Sequence, residues 1–183
     1  MKIYTRRGDD GSTGLFHGGR VAKDESGPEA YGTVDEAVST LGVARALATG
    51  ATHDRLLGIQ RELFVVAAEL ATAAERRGLL QAGTSLATGE MVVALEMAID
   101  AIEAERGLPM EFVVPGGNPL AAALDVARTV TRRAERRAVT HMRLAGIDDS
   151  FVVPYLNRLA DLLYVMARSV EAAWVPSRPK ETE

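Results

Sequence analysis

The sequence predicts an all-helical domain, a bundle of five helices preceded by a glycine-rich arm. Apolar residues recur at helical spacing in five long segments: 29–49, 53–77, 87–106, 118–144 and 151–173. Short connectors rich in Gly, Thr, Ser and Pro separate these segments, and little of the chain alternates with a period of two. The chain has 183 residues, 47% of them hydrophobic, which suffices for one core and predicts one domain over 1–183.

The first 27 residues differ from the rest because they hold few apolar side chains to bury. Glycines stand there among hydroxyl and charged residues, at Gly8, Gly11, Gly14, Gly18 and Gly19. We expect a loop-rich arm over 1–27, a helical bundle over 28–173, and a polar tail over 174–183 that frays after Trp174.

In the first helical segment the apolar line runs through Val34, Val38 and Leu41, and the second and third segments are predicted from the same spacing. The fourth has the clearest boundaries. Asn118 is a good N-cap, Pro119 suits the first helical position, and Gly146 stands where a helix end is expected. Just before it, residues 110–115 form a candidate extended piece. The fifth segment has a core stripe of Leu156, Leu159, Ala160, Leu163 and Met166 and a polar stripe of Asn157, Asp161, Tyr164 and Arg168.

The fourth helix concentrates positive charge, since residues 128–137 carry five arginines and one glutamate in a chain with a net charge of −4. At helical spacing, one stripe holds Asp125, Arg128, Arg132, Glu135 and Arg136. The core face holds Leu120, Ala123, Leu124, Ala127, Val130, Ala134 and Ala138, while Arg133 and Arg137 are expected in solvent. Two interpretations stay open: a charged outer face with weak pairs along the helix, or guanidinium groups that grip a phosphate chain.

Composition narrows the classes of function. The negative net charge argues against general binding to nucleic acid or anionic membranes, so an anionic partner must be met locally. There is no cysteine, which excludes disulfides and thiolate chemistry, and His17, His53 and His141 have no ExxH partner for a di-iron site. Without a signal-like apolar start or a long apolar run, we expect a soluble cytoplasmic protein.

The arm offers a second candidate anion site. Residues 5–14 combine flexible backbone N–H groups with hydroxyls and two arginines, as an anion-cradling loop does. They match neither a Walker A loop nor a dinucleotide fingerprint. The other interpretations are a mobile terminus for the arm, a solvated lysine at Lys23, and an ordinary surface asparagine at Asn157.

Four segments together resemble the PduO-type ATP:cob(I)alamin adenosyltransferases, in order and over nearly the whole chain: YTRRGDDGSTGLFHGGRVAKD (4–24), EAYGTVDEAVSTLG (29–42), FVVPGGNPLAAALDVARTVTRRAERR (112–137) and YLNRLADLLYVMAR (155–168). The resemblance implies a ferritin-like five-helix bundle that forms a homotrimer. It further implies that ATP binds between the arm of one subunit and the arginine helix of its neighbour.

The resemblance also implies roles for individual residues. The ATP ligands of the arm would be Thr5, Arg6, Arg7, Gly8, Thr13, Gly14 and Lys23. Those of the helices would be Arg132, Arg133, Glu135, Arg136 and Asn157. Asp35 and Arg128 match a pair that joins two subunits and positions the corrinoid, and Phe112 matches the aromatic residue that displaces its lower axial ligand. Of these, Arg128, Arg132, Asp35 and Phe112 would be the residues closest to the chemistry.

The implied reaction is attack of Co(I) on the 5′-carbon of ATP, with Mg²⁺ on the leaving triphosphate, a reductase as electron donor and a cobalamin-dependent enzyme as acceptor. The alternatives are an escort or regulator that binds nucleotide and cobalamin with little turnover, and an ATP-hydrolysing or phosphoryl-transferring enzyme, which lacks a Walker motif here. Departures from the commoner family pattern stand at Gly14, His17, Gly27, Pro28, Asn118 and Asp125.

Overall fold

The computed structural model describes residues 3–178 and confirms the all-helical fold. Its helices are α1 (Ser26–Leu47), α2 (Gly50–Leu70), α3 (Gly89–Arg106), α4 (Pro119–Ala145) and α5 (Val152–Ser169), with a short 3₁₀ helix over Ala74–Leu79. In the part described, none of these helices combines the length and apolarity that a membrane crossing requires. Met1 and Lys2 of the predicted arm and residues 179–183 of the predicted tail lie outside the described residues.

Helix α4 lies at the centre of the bundle, since it packs against both α1 and α5, while α2 packs on α1 and α3 on α5. Its predicted core face is confirmed from Leu124 to Ala138, although Leu120 and Ala123 are only partly buried. The facing sides of α1 and α4 carry alanines with no exposed surface: Ala30, Ala37, Ala44, Ala127, Ala134 and Ala138. Small side chains allow close approach of two helices, so α1 and α4 form the rigid centre against which the others pack.

The predicted second helix is too long, because α2 ends at Leu70 instead of continuing to residue 77. The buried carboxylate of Glu69 accepts hydrogen bonds from Arg77 Nη1 at 3.0 Å, from Ser150 Oγ at 2.6 Å and from the Ala87 amide at 2.7 Å. In a continuous helix Arg77 would lie roughly 12 Å further along the axis. The chain therefore turns after Leu70, and the turn brings Arg77 back to Glu69.

Both predicted boundaries of α4 are confirmed. Asn118 Oδ1 accepts a hydrogen bond from the Ala121 amide at 2.9 Å, and Pro119 is the first helical residue. At the other end Gly146 is left-handed, with φ of 67°. The arginines of this helix therefore have a backbone fixed from both ends.

The arm has more regular structure than the predicted loops. Strands β1 (Ser12–Gly14) and β2 (Arg20–Ala22) pair antiparallel, with Thr13 opposite Val21. The Phe16 amide donates to the Ala71 carbonyl at 2.9 Å, and Arg76 donates to the His17 carbonyl. The arm is thereby attached to the segment that follows α2.

The tail also differs from its expected fraying after Trp174. The Val114 amide donates to the Val175 carbonyl at 2.8 Å, and the Ser177 amide donates to the Phe112 carbonyl at 2.7 Å. The extended piece predicted before α4 thus pairs with the first residues of the tail.

Candidate functional site

A cavity of about 660 Å³ opens between α3, α4 and α5. Helix α4 contributes Arg128 and Arg132 to its wall. The wall also contains acidic side chains of α3 and polar side chains of α5: Glu96, Asp100, Glu103, Arg158, Asp161 and Tyr164. One edge of the cavity is therefore positive and the opposite edge negative.

The arginines of the cavity differ in how far they are already paired. Arg158 is neutralised, because its Nε lies 3.0 Å from Glu96 Oε1 and its Nη1 lies 3.0 Å from Asp161 Oδ2. The hydrogen bond that Arg158 donates to Glu96, together with its bond to Asp161, raises the pKa of Arg158. Arg132 has no side-chain hydrogen bond or ion pair within residues 3–178. The positive charge of the cavity that no acidic side chain compensates therefore lies on α4, chiefly at Arg132, and an incoming anion would bind there.

Arg128 is half-buried, and its Nε donates to Asp125 Oδ1 at 3.1 Å. Asp125 was expected on the arginine stripe, whereas the structure buries it to 5% exposure. The reason is Arg168 of α5, which is itself 1% exposed and donates to Asp125 Oδ2. The position of Arg168 on the polar stripe of α5 therefore reflects a buried ion pair.

Of the other predicted ligands on the helices, Glu135 and Arg136 follow Arg132 on α4, and Asn157 lies on α5. Asn157 Nδ2 donates to Glu135 Oε1 at 3.1 Å, so these two predicted site residues are in contact. Arg136 is exposed and donates to the Arg132 carbonyl at 2.9 Å.

The expectation that Arg133 and Arg137 are solvated is wrong in part. Both side chains are about half exposed, but each pairs with an acid of α1, Arg133 with Glu36 and Arg137 with Glu29 at 3.0 Å. Helix α1 brings these acids alongside because it packs directly on α4.

The predicted ligands of the arm lie in one loop closed by its own contacts. Lys23 Nζ donates to the Gly8 carbonyl at 2.8 Å, and Arg20 Nη2 donates to the Arg7 carbonyl at 2.6 Å. A side chain at position 8 would meet Lys23 Nζ at 3.2 Å, so glycine allows the close approach of this lysine. Arg6 has a positive φ of 61°, with its guanidinium 5.7 Å from the ring of Tyr4.

Three further members of this set are Thr13 and Gly14 in strand β1 and Thr5, whose hydroxyl accepts from the Arg7 amide at 3.4 Å. Burial raises the pKa of Tyr31 on α1, and the nearby Thr13 hydroxyl offsets this in part. The loop therefore lies close to the first helix.

Within one chain the arm does not reach the cavity. Its hairpin packs near the end of α4, where Leu15, Val21, His141 and Ala145 line a small cavity of about 70 Å³. At 1.5 Å per residue, Arg132 and Arg128 lie roughly 14–20 Å from His141 along the helix. The two candidate anion sites are thus separate in a single subunit.

Asp35 and Phe112 are not brought to Arg128 in one subunit either. Asp35 is exposed on α1 and has no ion pair among the described residues, and Phe112 is 87% exposed on the segment before α4. Both face outward, where only another molecule can meet them.

Buried charges missed by the sequence analysis are Arg168, Glu171 and Glu69. Helical spacing marks polar positions without distinguishing a solvated charge from one that is paired in the core, so no sequence signal identified them. Among residues 3–178, no group of three or more His, Asp or Glu side chains is placed to hold a metal ion.

Comparison with known proteins gives matches over nearly the whole chain. Residues 3–170 match the family model described as cobalamin adenosyltransferase. The corrinoid adenosyltransferase of Citrobacter freundii is 44% identical over 171 residues, covering 93% of this chain and 95% of the relative. That of Bacillus subtilis is 44% identical over 177 residues, covering 94% and 88%.

The fold matches solved structures as well. A variant of the PduO-type ATP:corrinoid adenosyltransferase from Lactobacillus reuteri, complexed with cobalamin and ATP, superposes with a TM-score of 0.87 at 34% identity. The match covers 97% of this chain and all of that one.

Proposed function

Because this chain belongs to the cobalamin adenosyltransferase family, we propose that it transfers the 5′-deoxyadenosyl group of ATP to cob(I)alamin. The products are adenosylcobalamin and inorganic triphosphate. The single observation that carries the proposal for this chain's own residues is the cavity beside α4, where Arg132 presents an uncompensated guanidinium.

The reaction requires no nucleophile from the protein. Co(I) supplies an electron pair to the 5′-carbon, a cobalt–carbon bond forms, and the carbon–oxygen bond breaks with its electron pair leaving on triphosphate. The task of the protein is to align the two substrates and stabilise the charge that grows on the leaving group.

We assign the triphosphate to arginines of α4 and to the arm of a neighbouring subunit. On α4 these are Arg132, Arg133 and Arg136, flanked by Glu135 and Asn157 for the rest of the nucleotide. Arg133 is available because an exposed pair such as that with Glu36 contributes at most about 1 kcal/mol. From the arm we assign Thr5, Arg6, Arg7, Gly8, Thr13, Gly14 and Lys23.

We propose a homotrimer, because in one chain the arm packs near His141, roughly 14–20 Å along α4 from Arg132 and Arg128, and a second copy can bring an arm to these arginines. Arg128 donates its Nε–H to Asp125, and the two Nη groups of Arg128 stay available for Asp35 of a neighbouring subunit. We assign Phe112 to the corrinoid, since its exposed ring offers an apolar surface. Removal of the lower ligand by such a surface would make Co(II) easier to reduce.

Mg²⁺ enters, in this proposal, with the phosphate oxygens of ATP and supplies charge neutralisation on the triphosphate. A reductase that delivers the electron and a cobalamin-dependent acceptor enzyme are the implied protein partners, in the cytoplasm.

The experiment is an anaerobic assay with protein, ATP, Mg²⁺ and chemically reduced cobalamin. We expect a light-sensitive alkylcobalamin and stoichiometric triphosphate. Release of ADP, or no product from a protein that binds neither substrate, contradicts the proposal. Tight binding of ATP and cobalamin without product favours the escort, to which the departures at Gly14 and Asp125 would then contribute.

A further inference from the structure

Arg128 ends a chain of four charged side chains that leads into the protein core. Beyond Arg128 come Asp125, Arg168 and Glu171, and these three have exposures of 5%, 1% and 2%. Positive and negative groups alternate along the chain, so each buried charge has an opposite charge beside it. Buried charges without such partners are strongly unfavourable.

Asp125 is the link between the cavity and this core. Its Oδ1 accepts from Arg128 Nε at 3.1 Å, and its Oδ2 accepts from Arg168 Nη2. Both oxygens are therefore occupied, and rotation of the carboxylate would break one of the two bonds. Asp125 consequently orients the guanidinium plane of Arg128 through its Nε. The Nη1 and Nη2 atoms of Arg128 make no hydrogen bond within residues 3–178.

The guanidinium of Arg168 has two further contacts. Its Nε forms an ion pair with Glu171 Oε2 at 3.2 Å without a hydrogen bond, and its guanidinium carbon lies 5.4 Å from the centre of the Tyr164 ring. The backbone carbonyl of Arg168 accepts from Trp174 Nε1 at 3.1 Å. Tyr164 also lines the cavity. The ion pair with Asp125 therefore has little freedom to move.

Glu171 extends the network to the turn before α4. Its Oε1 accepts from the Gly117 amide at 3.1 Å, and Arg106 of α3 donates to its carbonyl. A Cβ atom at position 117 would lie 2.7 Å from Glu171 Oε1, so this approach depends on glycine. The turn that leads from Phe112 into α4 is thereby attached to Glu171, at the opposite end of the chain of charges from Arg128.

We infer that Asp125 is a positioning residue for Arg128, held in place by the buried Arg168–Glu171 pair. The network directs the Nη atoms of Arg128 to the corrinoid side of the site. It also fixes the position of Arg128 relative to the segment that carries Phe112. This inference deepens the proposed function and rests on it for the role of Arg128. It concerns Asp125, one of the positions that depart from the commoner family pattern.

A purely structural role is the competing explanation, because removing one partner of a buried ion pair destabilises a protein whatever lies nearby. A double-mutant cycle separates the two explanations. If Asp125 acts through Arg128, its substitution has no further effect once Arg128 is gone.

The experiment compares wild type, Asp125→Asn, Arg128→Ala and the double variant in the anaerobic assay. We expect Asp125→Asn to lower kcat/KM for cob(I)alamin by about 10–100-fold while KM for ATP changes less than about twofold. In the Arg128→Ala background the same substitution should cost less than about twofold. An equal loss in both backgrounds overturns the inference.

Glu69→Gln is the matched control, because Glu69 is a buried carboxylate paired with an arginine at a different place in the bundle. The fold-loss of kcat/KM in Glu69→Gln should be the same in the wild-type and Arg128→Ala backgrounds, as expected for two independent sites. If Glu69→Gln shows the same lack of additivity as Asp125→Asn, the coupling is not specific and the inference fails.

A measurement of proton exchange at Arg128 does not depend on turnover, so it tests the role of Asp125 even if a variant misfolds in part or the proposed function is wrong. In ¹⁵N-arginine-labelled protein, the Nε–H signal of Arg128 is identified by its loss in Arg128→Lys. We expect slow solvent exchange of this proton in wild type and fast exchange in Asp125→Asn and, to a smaller degree, in Glu171→Gln. Unchanged exchange overturns the inference. A wild type that makes no adenosylcobalamin overturns only the proposed function, since the exchange measurement still decides the role of Asp125.

Discussion

At the scale of the residue, the arginines of α4 have different roles although their side chains are identical. Arg137 pairs with Glu29 on the surface, Arg128 is held by a buried acid, and Arg132 lines the cavity without a partner among the described residues. The packing of α1 and α5 against α4 decides which of these arginines has an acidic partner and which is available for a ligand.

We expect Arg132→Ala to reduce kcat by about 10²–10³-fold, because a donor that meets charge developing in the transition state is lost. Anaerobic turnover and size-exclusion chromatography measure activity and assembly together. Arg137→Ala is the control on the same helix, and it should leave both unchanged because an exposed pair contributes little. Equal kinetics for the two variants would show that the cavity arginine does not meet ATP.

His141 gives a prediction for the pH dependence of stability. Burial lowers the pKa of His141, a hydrogen bond with the backbone of Leu70 offsets this in part, and its Nδ1 lies 3.0 Å from Ser26 Oγ. The ring also packs against Gly27. Since the unfolded chain binds the proton more readily than the folded one, this group destabilises the fold as the pH falls from about 6.5 through the lowered pKa.

We therefore expect the free energy of unfolding to decrease between about pH 7.5 and about pH 5.5, and to decrease less in His141→Gln. Chemical denaturation at both pH values measures the difference. Glu25 lines the same small cavity, so Glu25→Gln serves as a second reference. A steeper pH dependence in His141→Gln than in wild type would contradict the sign.

At the scale of the element, the start of α4 is attached to the end of α5. Asn118 makes two bonds with one side chain, because Oδ1 caps α4 and Nδ2 donates to the Val170 carbonyl at 2.8 Å. The sequence predicted only the first. A serine at this position could cap the helix but has no amide donor for the Val170 carbonyl.

We expect Asn118→Ser to cost about 1 kcal/mol of unfolding free energy and Asn118→Ala about 2 kcal/mol, since the second variant also loses the cap. Denaturant titration at a fixed protein concentration measures both. Thr88→Ala is the matched control, because Thr88 caps α3 by accepting from the Met91 amide and, within residues 3–178, makes no side-chain hydrogen bond to another helix. It should cost about 1 kcal/mol. Equal costs for the two Asn118 variants would show that the bond to Val170 contributes nothing.

At the scale of the whole molecule, a single subunit separates the parts of its own site. The arm lies near His141, while Arg128 and Arg132 lie in the first half of α4, so in the proposed function the arm that completes one cavity comes from another copy. This arrangement makes the proposed site a property of the assembly.

Mixing two inactive variants tests this arrangement. Lys23→Ala disables the arm and Arg132→Ala disables the helix. In trimers assembled at random from equal amounts of both, about a quarter of the interfaces pair an intact arm with an intact helix. We expect turnover to rise to about that fraction of wild type after co-assembly. The double variant Lys23→Ala/Arg132→Ala, mixed with either single variant, is the control and should stay inactive. No recovery would place the site within one chain.

The sequence by itself determined the number of α-helices, the boundaries of α4 and the core stripes of α4 and α5. These features follow from interactions within one turn of the chain: the spacing of apolar residues, the cap at Asn118 and the left-handed glycine at position 146. The four motifs, in their order along the chain, also sufficed to identify the family.

Only the tertiary structure decided which charges are buried and which are left for a ligand. Helical spacing placed Asp125 among the arginines, but α5 crosses at that point and supplies Arg168, which draws the carboxylate into the core. It likewise placed Glu69 and Arg77 on one helix, whereas their ion pair forms because that helix ends. The energy of a charge depends on the partners and the water around it, and contacts between segments distant in the chain determine both.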